Sequence, residues 1–162
     1  QGLRKFNCEN PAMELAKNIH HTIPVIYGSV DANSIAAVRF RGQLEENAKM
    51  IAFHHDMPEM NHNEIEGWNG YRTLFDKISI VWIMDKDDHP QISKRIIISK
   101  EILDKKCSQQ FIINTDGNNF IERILKLIHF VDWVSYFAAL LNKVDPTPVN
   151  QIQQLKKRLK KD

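Results

Sequence analysis

The sequence predicts an α/β protein, a three-layer αβα sandwich around a parallel sheet of four or five strands. Three observations carry this. Apolar runs such as Ile78 to Met84, ISIVWIM, are nearly unbroken, as in strands buried on both faces. The stretches between such runs are long enough to be crossover helices. Helices and strands alternate along the chain, which is the pattern of a parallel sheet covered on both sides.

Taken in order, Asn10 is a good N-cap and Pro11 suits the first helical position. The helix they open runs to about His21 and turns Met13, Leu15, Ala16 and Ile19 inward. Ile23 to Tyr27 is a short buried strand that ends at Gly28. A second helix spans Asp31 to Lys49, with Ile35, Val38 and Gly42 on one side at i, i+3 and i+7. Met50 to Phe53 reads as the next strand, and Asn61 to Gly67 as a brief helical turn before a loop bearing Gly and Asn. Ile78 to Met84 and Phe111 to Asn114, with its neighbours, are further strands. Between them, Ile96-Ile97-Ile98 alone favours a strand, but parallel neighbours need a long crossover, so Ile92 to Lys105 is predicted helical. A long helix covers Asn118 to Asn142, with Ile121, Ile124, Leu125, Ile128 and Val131 or Trp133 as its apolar positions. Trp133, Tyr136 and Phe137 read as core packing. Pro146 and Pro148 break this helix, and a last one runs from Val149 to Lys161. Ligands of such sheets sit outside the carboxyl ends of the strands. The Tyr27–Ser34 loop, the Phe53–Trp68 connection and the loop after Met84 are expected to face that edge.

At 162 residues the chain is one domain, placed at residues 10–162. Residues 1–9 read as the end of a connector or a tag remnant, with Gln1-Gly2 in place of an initiator methionine. The net charge of +2 gives no reason to expect nucleic acid. Cys8 and Cys107 lie far apart and form no metal-type pair, which suits a reducing cytoplasm. No stretch reads as a membrane span or an export signal, so no membrane partner is expected.

The chemistry concentrates between Gln43 and Trp68, QLEENAKMIAFHHDMPEMNHNEIEGW. Glu46 falls at a helix end, where the macrodipole favours cations, and an acid placed there is a candidate base. On composition alone, Glu45 and Glu46 would simply solvate that end. His62 lies between Asn61 and Asn63, whose amides can fix an imidazole tautomer. The pairs His20-His21 and His54-His55 invite a metal reading, but no HExxH spacing or cysteine cluster supports it.

The run EENAK…PEMNHNEIEGW resembles the C-terminal half of the bifunctional phosphoglucose/phosphomannose isomerases, whose subunits pair two sugar-isomerase (SIS) domains. PVIYG at Pro24 to Gly28 and DWVSYFAALLNKVDPTPVNQIQQLKKRL at Asp132 to Leu159 are similar to the same half, in the same order. The resemblance implies an SIS domain, paired with an N-terminal SIS domain of the same protein, and a hexose 6-phosphate substrate. It implies that glucose 6-phosphate and mannose 6-phosphate are interconverted with fructose 6-phosphate through an enediol. Glu46, in ENAK, matches the base that carries the proton between C1 and C2; it is preferred over Glu45 because Asn47 follows it. His62, in NHNE, matches the ring-opening histidine, and Lys156 matches a lysine at the ring-oxygen end. Asn47 and Thr147, in DPTP, are the expected substrate-binding positions, the threonine admitting the mannose epimer. A homodimer is implied, with the histidine donated by the neighbouring subunit. No cofactor and no metal are expected, since side chains move the protons. One feature departs from the family: the serine- and threonine-rich turn that cradles the sugar phosphate in the first half has no counterpart here. The alternative is therefore a non-catalytic sugar-phosphate-binding or dimerisation module with the same fold.

Overall fold

The computed structural model describes Leu3, residues 10–30 and residues 32–160. The connector or tag remnant expected at residues 1–9 lies outside the described residues except for Leu3, as does Asp31. Helix α1 spans Pro11–Ile19, and the Asn10 side chain caps it by accepting the N–H groups of Ala12 and Met13. Strand β1, Ile23–Ser29, follows, then helix α2, Ala32–Gln43, which passes into a π turn at Leu44–Ala48. After β2, Phe53–Met57, come a 3₁₀ turn at Glu59–Asn61 and the short helices α3, Glu64–Gly67, and α4, Arg72–Phe75. Strand β3, Ile78–Met84, is joined to β4, Gln109–Asn114, through α5, Pro90–Ile102. The chain ends in α6, Phe120–Leu141, and α7, Asn150–Leu159.

The four strands are all parallel, in the order β2-β1-β3-β4. Among the described residues the sheet therefore has four strands, the lower of the two numbers expected. Helices α1, α2 and α6 pack on one face, around Ile26, Phe40, Leu44, Val81 and Val134. The opposite face is covered by the 59–75 region and α5, around Tyr27, Met60, Trp68, Trp82 and Ile96. The Ile96-Ile97-Ile98 run is helical, as the crossover argument requires, with only Ile96 of the three fully buried.

Five expectations are corrected. The second strand is FHHDM, not Met50 to Phe53. As an edge strand β2 pairs on one side only and tolerates polar residues, while Met50 and Ala52 are spent plugging the core beneath it. The inward face of α2 is also the other one. Ile35 is 64% exposed and Val38 41%, whereas Ala36, Ala37, Phe40 and Leu44 are buried. Small residues on that stripe let α2 approach the sheet closely. At Gly28 the approach is closest, because a Cβ there would lie 2.8 Å from the Asn33 carbonyl oxygen. On α6, Ile121 and Leu125 face outward and Leu127, Val131 and Val134 face the core. Of the aromatic trio, Phe137 is buried, while Trp133 is half-buried and Tyr136 is 41% exposed. Finally, α6 is by length and composition apolar enough to cross a membrane, contrary to the sequence reading. It is the central helix of its layer, packed on α1 and α2, and its flank carries Glu122, Arg123 and Lys126.

Candidate active site

Glu46 stands on the π turn that ends α2. Leu44 and Ala48 sink into the core, so Glu45 and Glu46 are turned outward. The Met50 N–H closes the turn on the Leu44 carbonyl at 3.1 Å, and Lys49 takes a left-handed backbone, φ 58°. Asn47 holds the turn from the side, its amide N–H₂ donating to Gln43 Oε1 and to Ser135 Oγ on α6, each at 2.9 Å. Asn142 Nδ2 donates to the Ala48 carbonyl at 2.8 Å. Glu45 pairs with Arg41 at 3.7 Å, whereas Glu46 has no ion pair among the described residues. Glu46 is thus the carboxylate of the two that remains available.

It opens on a cleft of about 700 Å³ between this turn and the Val144–Ile152 segment. Thr147 lies in that segment and is exposed, its N–H donating to Asp145 Oδ1 at 2.9 Å. That bond and the Thr147 side chain hold the Asp145 carboxyl below its ordinary range. Helix α7 lines the cleft with Asn150, Gln151 and Ile152. Lys156 is exposed and is the i+4 neighbour of Ile152, so it stands one turn further out on the same side. The fold therefore gathers Glu46, Asn47, the Thr147 segment and the Lys156 helix around one place.

His62 is elsewhere. It caps the 3₁₀ turn on the opposite face of the sheet, exposed, between Met60 and Trp68 of the second core. The sheet lies between it and the Glu46 turn, whose Leu44 and Ala48 belong to the first core. Its asparagine neighbours do not hold the imidazole, as the sequence reading had them do. Asn61 donates to Ser99 Oγ on α5 at 2.8 Å, and Asn63 Oδ1 caps α3 by accepting the Glu64 N–H at 2.6 Å. Asparagine is a better helix cap than an imidazole partner when a helix starts at the next residue.

Two groups escaped the sequence reading. One is a chain of bonds on the His62 face of the sheet, in which Trp68 Nε1 donates to the Tyr27 hydroxyl at 3.1 Å and that hydroxyl donates to Glu64 Oε1. The other Glu64 oxygen meets His55 Nδ1 at 2.6 Å. Burial and the Glu64 carboxylate push the Tyr27 phenol far above its ordinary range, so it stays protonated as a donor. Only the GW at the end of the motif hinted at an anchor there. The second group fills the crevice at the carboxyl ends of β1 and β3, where such sheets bind ligands. Asp88 accepts from the Ser29 hydroxyl at 2.6 Å, from the Asp85 N–H at 2.8 Å and from Asn33 Nδ2 at 3.3 Å. Asp85 in turn takes Arg123 Nε at 2.8 Å. A carboxylate of the protein's own occupies the donors of this crevice. Among the described residues, no three His, Cys, Asp or Glu side chains gather as a metal-binding group. Burial pushes the thiol of Cys107, the free cysteine among the described residues, up to about 11.

Comparison with known proteins agrees with this fold. Residues 8–159 match the family described as the bacterial phospho-glucose isomerase C-terminal SIS domain. The bifunctional phosphoglucose/phosphomannose isomerase of Aquifex aeolicus is 38% identical over 148 residues, 91% of this chain and 46% of that protein. The enzyme of the same name from Thermoplasma acidophilum is 35% identical over 151 residues, 93% of this chain and 46% of that protein. The chain thus spans less than half the length of these relatives. In fold it is similar to a glucose-6-phosphate isomerase like protein from Thermus thermophilus, with a TM-score of 0.70 at 20% identity, covering 92% of this chain and 47% of that one. A four-stranded parallel sheet and a family match over nearly its whole length leave one assignment: the chain belongs to the bacterial phospho-glucose isomerase C-terminal SIS-domain family.

Proposed function

We propose that this domain carries the proton-transfer residues of an aldose–ketose isomerase acting on glucose 6-phosphate and mannose 6-phosphate, with fructose 6-phosphate as the ketose. The observation that carries the reading is Glu46, a carboxylate without an ion pair among the described residues, beside a cleft on which the Thr147 segment and α7 converge. On the open-chain sugar, Glu46 removes the C2 proton of the aldose and returns it at C1, passing through an enediol. A positioned base of this kind contributes on the order of 100- to 10,000-fold. Lys156, one turn along α7, serves the ring-oxygen end.

Ring opening needs a second group, which protonates the ring oxygen as its bond to C1 breaks while the C1 hydroxyl gives up its proton. His62 fits that task, but it lies across the sheet from Glu46 of its own chain. A homodimer in which His62 of the partner subunit reaches the Glu46 cleft reconciles the two placements. The phosphate is assigned to a preceding SIS domain of the same cytoplasmic protein, because Asp88 already occupies the donors of the crevice in this one. That filled crevice also favours, for the chain taken alone, the second reading of a non-catalytic dimerisation module.

The test compares this chain with the full-length gene product. The full-length protein is expected to isomerise glucose 6-phosphate in the presence of EDTA, and the 162-residue chain to fold without turnover. Positioning accounts for roughly 7 to 11 kcal/mol of a barrier, which a lone base does not restore. Robust turnover by the chain alone would overturn the division of labour; abolition by EDTA would overturn the mechanism.

A further inference from the structure

We infer that Glu64 is a positioning residue for His62, acting through Tyr27 and His55; the inference rests on the ring-opening role assigned to His62 above. His62 makes no side-chain hydrogen bond among the described residues, so its placement comes from the backbone that carries it. That backbone is fixed on both sides. On the N-terminal side, Asn61 donates to Ser99 Oγ on α5. On the C-terminal side the tie to the sheet is the Glu64 carboxylate, with one oxygen on the Tyr27 hydroxyl of β1 and the other on His55 Nδ1 of β2.

The chemistry of the tie is that of a carboxylate used as a two-ended acceptor. Tyr27 is fully buried and its hydroxyl accepts from Trp68 Nε1, so its own proton has one direction left, toward Glu64. Trp68 packs at a tilt of 48° against Phe75, ring centroids 5.0 Å apart, and closes the same segment four residues further on. Glu64 and His55 are each about one-third exposed, so the tie sits at the surface of the second core, and Glu64 follows the exposed His62 by two residues in the chain. Helix α3 has only four residues and cannot hold itself; hydrogen bonds to charged groups are the stronger kind and can. Catalytic placement tolerates little error, and a shift of about 1 Å can cost on the order of 100-fold.

The experiment separates ring opening from proton transfer in the full-length protein. Exchange between the α and β anomers of glucose 6-phosphate, followed by NMR, reads ring opening; solvent deuterium entering C2 of an open-chain analogue reads the base. Glu64→Ala is expected to slow anomer exchange at least tenfold while deuterium entry stays within about twofold. Glu64→Gln should recover most of it, since the amide oxygen still accepts from Tyr27 and its N–H₂ donates to the neutral tautomer of His55. Should Glu64→Ala fail to fold, Tyr27→Phe and His55→Ala each remove one end of the tie and should show the same one-sided loss. Equal losses in both assays, or an unchanged anomer exchange in a folded Glu64→Ala protein, would overturn the inference. His62→Ala is the control: if it leaves anomer exchange intact, the ring-opening assignment itself fails, and it does so whatever Glu64 does.

Discussion

The ammonium of Lys49 lies 2.7 Å from the carbonyl oxygen of Pro148, ninety-nine residues away in sequence. The same Nζ also donates to the Glu46 carbonyl, so one side chain ties the turn that carries the candidate base to the segment that leads into α7. Both bonds are exposed, so their worth in stability is small, about 1 kcal/mol or less. Their value is in geometry. Lys49→Met is expected to lower turnover of the full-length protein about tenfold while shifting the urea midpoint little, and to raise the rate of proteolytic cleavage between Val144 and Asn150. Unchanged kinetics would mean that α7 finds its place without the tie.

The choice of Glu46 over Glu45 is tested directly. Glu46→Gln keeps the shape of the turn and removes the base, so deuterium entry at C2 should fall by on the order of 100- to 10,000-fold. Glu45, already paired with Arg41, should tolerate the same change within a few-fold. The reverse ranking would move the base by one residue.

Asn10 is buried and caps α1 through two backbone N–H groups. Asn10→Ala should cost about 1 to 2 kcal/mol, a loss of roughly 2 to 8 °C in Tm for a chain of this size. Calorimetry on the 162-residue chain measures it. A shift below a degree would show that the α1 end is held by packing alone.

Asp85 supplies a pH signature. Burial raises its carboxyl, but the bonds from Arg123 and Thr115 outweigh that and hold it below the ordinary value. A carboxyl depressed in the folded state adds stability that is present above its unfolded value, near about 3.9, and is lost as pH falls through the lower folded one. Wild type should therefore be more stable than Asp85→Asn at pH 7, and the gap should narrow below about pH 4. Urea midpoints at pH 7 and pH 3 decide it; a constant gap would mean that the Asp85 carboxyl titrates alike in the folded and the unfolded chain.

How much of this was legible in the sequence depends on what each residue answers to. Ile78 to Met84 was readable because a strand buried on both faces has no freedom in composition. Strand β2 was not, because an edge strand with one partner can be FHHDM, and the neighbouring apolar residues belong to the core beneath it. The buried face of α2 was missed because alanines and one phenylalanine make a weaker periodic signal than the exposed Ile35 and Val38. In the candidate site, Glu46 and His62 carried a motif. Ser135, Lys49 and Tyr27, which hold their segments in place, act across 88, 99 and 37 residues, and no local pattern announces such pairings.

The placement of the Glu46 turn and the His62 turn on opposite faces of one sheet has a consequence for mixtures of damaged proteins. If each working site draws on two copies, a Glu46→Gln subunit and a His62→Ala subunit, each dead alone, complement one another. In a twofold dimer assembled from both, one site receives both lesions and the other receives neither. Unfolding and refolding the two variants together in equal amounts should restore about a quarter of the wild-type sites, since about half of the dimers are hybrids. Two lesions on the same turn, Glu46→Gln with Lys49→Met, leave no intact combination and should restore none beyond the Lys49→Met background at its own sites.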